Sequence, residues 1–262
     1  MNETRVSSAR IFLALLRRDI TVARREIAFF LIRTTMQPLL FTIIFGYLMP
    51  RMGLLGRGYG AMMLPGIVAL SLTVSAIMAV SLPMVVDFGQ TKEIEDRLLA
   101  PVPNQIVAIE KIVAGIIQGI VAALFVLPIA RLIMGPIPGL SFNNIGLVIL
   151  MTLLGGATFS ALGLVLGTAF PPQQIGMMFA VILAPMMMFG CAYYPWQGLK
   201  AVPVLKWAVL INPLVYVAEG LRAALTPSVP HMPVMASAFA LVVITAFFTI
   251  LGLRTFMKRA VS

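Results

Sequence analysis

The chain has 262 residues, of which 60% are hydrophobic and 11% charged, where a soluble domain carries about 25% charged residues. Leu132 to Leu199 is a run of 68 residues without one formal charge, which no water-exposed fold could cover its surface with, so the chain is an integral membrane protein. One cysteine (Cys191) and one histidine (His231) exclude a disulfide framework, a thiolate cage and a histidine-rich metal site, so no metal is expected; the net charge of +10 reads as anchoring to a membrane face, with no nucleic acid as partner.

Residues 10–30 come first in chain order. At about 100° per residue, Phe12, Leu16, Ile20, Ala23, Ile27 and Phe30 share roughly an 80° arc, with Arg10, Arg17, Arg18, Arg24 and Arg25 on the far side. A helix with one apolar stripe and one arginine face lies in the membrane interface, so membrane lipid is a partner; the plainer alternative is a topogenic tail.

Six apolar stretches follow, near Thr34–Met49, Met62–Val85, Ile106–Met134, Ile145–Phe170, Ile175–Tyr193 and Pro233–Leu253. Each is long enough to cross about 30 Å of hydrocarbon, the first by extending through Arg33. Backbone polar groups in lipid must bond within the segment, so the expected fold is all-α with six transmembrane helices. Basic residues divide twelve to six between the two sides once Arg33 is set aside, which predicts that both termini are cytoplasmic.

Between the second and third spans, loop 87–104 holds Asp87, Glu93, Glu95 and Asp96, four of the chain's nine acidic residues. Thr91 offers a helix N-cap, Glu93 and Arg97 are spaced i,i+4, as are Ile94 and Leu98, and Pro101 and Pro103 end the run. A short amphipathic helix facing the cytoplasm suits protein docking; a solvated loop helix is the bland alternative. Gly115-x-x-x-Gly119 and Gly163-x-x-x-Gly167 on spans three and four permit close backbone approach, within the subunit or between subunits. The fifth span is rich in methionine, which makes adaptable surfaces for varied apolar ligands or simply fills a core. Residues 194–225 contain Pro195, Pro203 and Pro213 and are too polar for a span. Glu219 and Arg222, three residues apart, suit an ion pair that holds this segment.

Lys92–Pro103 (K-E-I-E-D-R-L-L-A-P-V-P) resembles the loop signature of type-2 ABC transporter permeases. Asn212-Pro213-Leu214-Val215-Tyr216, followed by Glu219 to Arg222, resembles that family's segment before the last span. The chain is most similar to the daunorubicin-resistance and nodulation-protein type exporters. The resemblance implies a single transmembrane domain over 1–262: interface helix 10–30, spans one to five over 34–193, external re-entrant segment 194–225, and last span 233–253. It implies a coupling helix carrying Glu93, Ile94, Glu95, Arg97 and Leu98, and an interface helix carrying Arg17, Arg18, Arg24 and Arg25. Tyr194, Trp196, Asn212, Pro213, Tyr216, Glu219 and Arg222 would form the external hairpin. Spans one, two and five line the pathway in such proteins, which brings forward Gln37, Met178, Met186 and Phe189. Two ATP-binding subunits and a second, identical permease subunit are the implied partners in a bacterial-type inner membrane.

No Gly is followed directly by Lys, so a phosphate loop is absent; ATP and Mg would act on the partner, and this chain holds no cofactor. No catalytic residue is expected, because neither Ser71, Ser75 and Ser81 nor His231 has a visible partner for chemistry. The function expected is a permease exporting a hydrophobic or amphiphilic drug or lipid. Export of a polysaccharide or lipo-oligosaccharide, and a non-transporting scaffold, are the alternatives.

Overall fold

The structure, a computed structural model, describes residues 8–25, 27–56, 58–88 and 104–261. Among these the helices are α1 (Ser8–Arg25), α2 (Ile27–Arg51), α3 (Tyr59–Val86), α4 (Asn104–Met134), α5 (Ile145–Ala169), α6 (Pro172–Met188), α7 (Pro203–Ile211), α8 (Pro213–Leu225) and α9 (Val234–Val261). Outside these helices a 3-10 turn covers Trp196–Ala201, and turns and irregular backbone make up most of the remaining described residues.

The contacts between helix ends set the crossings. Arg259 of α9 donates to the carbonyls of Thr168 and Phe170 at 2.9 and 3.3 Å, where α5 ends, and its guanidinium lies over Phe88, just past α3. A cation at a helix C-terminus is favourably placed against the dipole. At the opposite end, Arg222 of α8 reaches both the carbonyl of Met62 near the start of α3 and that of Cys191 beyond α6. Thus α2, α3, α4, α5, α6 and α9 each pass from one end of the bundle to the other. The bent pair α7–α8, folded through 99°, stays near one end; Leu225 at its close bonds to Ser141 in the α4–α5 connection at 2.8 Å.

Two expected boundaries shift. Ile27 and Phe30 belong to spanning helix α2, since α1 closes at Arg25, and α2 continues to Arg51. The expected fifth span, Ile175–Tyr193, stops as a helix at Met188. Its final residues turn inward with Cys191 at φ +53°, and α6 rises only about 25 Å at 1.5 Å per residue. Apolar residues in that turn look like span residues to any hydropathy argument.

Helix α3 is the centre of the bundle, and small residues bring its neighbours close. A Cβ on Gly163 would stand 2.8 Å from the carbonyl of Ile77, and one on Gly119 would stand 3.1 Å from that of Leu72. Both Gly-x-x-x-Gly motifs therefore face α3 inside the subunit. Two threonine pairs, Thr158–Thr245 at 2.6 Å and Thr168–Thr255 at 2.7 Å, fasten α5 to α9. Gly163→Val is expected to cost about 1–3 kcal/mol by overpacking this seam, read as a lower Tm in detergent with the oligomeric state unchanged. A changed oligomeric state at constant Tm would put that face outside the subunit.

Candidate functional site

Most of the expected site residues that the structure describes lie at the two ends of the bundle. At one end, α1 turns its apolar stripe inward: Phe12, Leu16, Ile20 and Ala23 are partly covered, while Arg10, Arg17, Arg18, Arg24 and Arg25 are exposed. Leu15 packs against a cluster formed by α3, α4, α5 and α9. Lys111 of α4, 4% exposed at its side chain, forms an ion pair with Asp19 of α1. The sequence carries one hint of this contact: at about 100° per residue Asp19 falls beside the apolar stripe and opposite the arginines. Asp19→Asn leaves Lys111 buried without its counter-charge, at about 1–3 kcal/mol. Limited trypsin digestion at the α1 arginines should then speed up about tenfold, as expected when ~1.4 kcal/mol of docking is lost; an unchanged rate would mean the pair does not hold α1.

Glu93, Ile94, Glu95, Arg97 and Leu98, expected on the coupling helix, lie outside the described residues.

At the other end all seven expected hairpin residues meet in one assembly. Asn212 caps α8, its side-chain oxygen accepting from Leu214 N at 3.0 Å, and Pro213 occupies the first helical position. The Asn212 amide also donates to the carbonyl of Met186 at 2.7 Å, which ties the corner of the hairpin to α6. Tyr216 and Tyr194 donate their hydroxyls to the carbonyls of Leu210 and Met188. Trp196 stacks edge-on against Trp207, and the Lys206 ammonium lies 4.5 Å from the Trp196 ring centre.

Glu219 and Arg222 are fully buried and paired. Beyond each other, they satisfy groups from four separate places in the chain. Glu219 accepts from the backbone N–H of Trp196 at 2.8 Å and of Met232 at 2.7 Å. Arg222 donates to Met62 and Cys191, as described above. One pair thus fastens the hairpin to α3, to the turn after α6, and to the entrance of α9. That turn presses on α3 so closely that a Cβ at Gly66 would stand 1.8 Å from the carbonyl oxygen of Ala192, and Tyr59 donates its hydroxyl to the next carbonyl, Tyr193, at 2.8 Å.

The hairpin corner also forms one wall of a groove of about 460 Å³ completed by α5, α6 and α9, with Asn212 its one polar lining residue. Met186 and Phe189 line this groove, the latter 47% exposed. The other two expected pathway residues lie elsewhere: Met178 is buried in the subunit's core and Gln37 is exposed on α2. The methionine-rich pattern of span five could not separate its two faces, one packed inward and one open.

A family model described as ABC-2 type transporter matches residues 10–226. The chain is also 28% identical over 224 residues to proteins named "Inner membrane transport permease YadH" from Escherichia coli (strain K12), Escherichia coli O157:H7 and Shigella flexneri, covering 80% of this chain and 81% of theirs.

Proposed function

The chain belongs to the ABC-2 type transporter family, and on that premise we propose that it is the permease of an ATP-driven exporter moving a hydrophobic or amphiphilic drug or lipid out of the cytoplasm or inner leaflet. It is a multi-pass transport subunit that works with a separate ABC ATPase. In this reading two permease subunits, identical in sequence, pair and dock on two ATPase subunits at the α1 end, which faces the cytoplasm. ATP and Mg bind on the ATPases. Glu93, Ile94, Glu95, Arg97 and Leu98 transmit the stroke, with the arginine face of α1 held against the membrane interface beside them.

The observation that carries the cargo reading is the groove beside the hairpin corner. Its walls are Met186, Phe189, Ile182, Leu162 and Phe248, and its one polar side chain, Asn212, is already engaged in capping α8 and holding Met186. An apolar wall without available hydrogen-bonding groups favours an aliphatic or aromatic ligand over a sugar chain. The twelve-to-six division of basic residues supports the cytoplasmic placement of both termini.

The test is transport in proteoliposomes holding this chain and its ATPase, with a fluorescent amphiphile as cargo. ATP-dependent movement is expected, and changing both Glu93 and Glu95 to Lys should reduce it at least about tenfold, since like charges across an interface cost several kcal/mol. Unchanged movement in that variant would overturn the coupling assignment; movement of a lipid-linked saccharide but not of the amphiphile would overturn the cargo reading.

A further inference from the structure

Helices α3 and α9 each have 28 residues, about 42 Å at 1.5 Å per residue, and both run from the hairpin end of the bundle to the α1 end. Along most of that length α5 lies between them, packed against both. Their ends are where they are joined. At the hairpin end they hold opposite halves of one buried ion pair. The carbonyl of Met62 on α3 accepts from Arg222 at 3.0 Å, and the N–H of Met232, two residues before α9, donates to Glu219 at 2.7 Å.

At the α1 end the two helices hold each other. Phe256 of α9 is fully buried and stands edge-on to Phe88, with ring centres 5.7 Å apart. The Arg259 guanidinium lies 4.9 Å from the centre of the same Phe88 ring. Phe88 is the last described residue before the segment that carries Glu93 to Leu98. Val107 and Ala108, close to where the chain returns in α4, belong to the same buried cluster as Phe256. Arg259 also donates to the carbonyls that end α5, and the Thr168–Thr255 bond lies beside it, so α5 and α9 are tied together at this end. Phe88 therefore cannot shift without carrying the end of α9 with it or giving up both ring contacts.

We propose that Phe88, Phe256 and Arg259 are positioning residues for coupling. They fix α3 against α9 at the root of the coupling segment, so that a displacement there reaches the Glu219–Arg222 pair and, through it, the external hairpin. Close-packed helices pass small shifts along their length instead of absorbing them. Because α3 holds the Arg222 side of the pair and α9 the Glu219 side, a shift of one helix against the other loads the pair directly. The inference rests on the proposed function, since its input is the stroke delivered by the ATPase.

The test is hydrogen exchange, followed by mass spectrometry, on this chain bound to its ATPase, with and without Mg and a non-hydrolysable ATP analogue. The backbone amides of Trp196 and Met232, which donate to Glu219, are the distant readout. In wild type the nucleotide should change their exchange rate. In Arg259→Gln that response should shrink at least about twofold, the lower end for a residue that carries coupling between sites. Transport per ATP hydrolysed should fall with it, while the ATPase stays bound. Arg259→Lys, a cation still able to meet the α5 carbonyls and the Phe88 ring, should keep more of the response than Arg259→Gln. Phe88→Leu keeps the test valid if Arg259→Gln fails to fold. A lower Tm with the nucleotide response intact would make Arg259 a cap on α5 and overturn the proposal. Loss of the ATPase from the variant would make it a docking residue and overturn the proposal too. A wild-type complex that holds its ATPase but shows no response at Trp196 and Met232 overturns this inference alone; a chain that binds no ATPase overturns the proposed function and this inference with it.

Discussion

Arg222→Met lowers the Tm of the purified permease by roughly 6–20 °C, because removing one partner of a buried ion pair costs about 3–5 kcal/mol and each kcal/mol moves Tm by about 2–4 °C in a chain of this size. The loss extends past the pair itself. Glu219 would remain as a buried charge, and the carbonyls of Met62 and Cys191 would lose their donors. Arg222→Lys should recover little of this, since one ammonium cannot reproduce a planar fork that serves three acceptors in different directions. Replacing both residues by apolar ones often rescues a buried pair. Here it should not, because the N–H groups of Trp196 and Met232 rely on the Glu219 carboxylate. A Glu219→Leu/Arg222→Met double variant as stable as wild type would show that the clamp has no structural role. The readout is thermal unfolding followed by intrinsic tryptophan fluorescence, since Trp196 lies in the assembly that loosens.

Gly66→Ala is the second large effect, and its sign is diagnostic. In an open helical position alanine stabilises by about 1 kcal/mol relative to glycine. At Gly66 the added methyl would overlap the carbonyl of Ala192. The turn after α6 cannot retreat without giving up the Tyr59–Tyr193 and Arg222–Cys191 bonds. A loss of about 3 kcal/mol or more is therefore expected, at the upper end of overpacking costs. Gly60, six residues earlier on α3, is the control. A Cβ there would lie 3.4 Å from the flexible end of Met134, so Gly60→Ala should be close to neutral. Equal stability of the two variants would contradict the close approach at Gly66.

Much of this architecture is legible in the residues. The uncharged run from Leu132 to Leu199, the six apolar stretches and the amphipathic layout of α1 each follow from one local rule about length or period. Glu219 and Arg222 are legible as a pair because one helical turn separates them, and Asn212-Pro213 is legible as a helix start. What escapes is non-local. Nothing in the sequence says that Glu219 also serves Trp196 and Met232, or that the glycine motifs on α4 and α5 face α3. Gly190, Cys191 and Ala192 of the turn are buried, Ala192 against Gly66, and an apolar buried turn reads as the end of a span. The ion pair between Asp19 and Lys111 joins residues 92 positions apart; only the place of Asp19 beside the apolar stripe hints at it. Of the four residues expected to line a pathway, the structure separates Met186 and Phe189 from Met178 and Gln37, a division set by tertiary packing.

The reading of this chain as a permease worked from outside by an ATPase is tested most directly by affinity purification of the tagged chain from native membranes, with its partners counted by mass spectrometry. The account predicts an ATPase bearing a phosphate loop, present at one copy per copy of this chain and lost when Glu93 and Glu95 are changed to Lys. A chain recovered without any such ATPase, in membranes where its transport activity is intact, would contradict it.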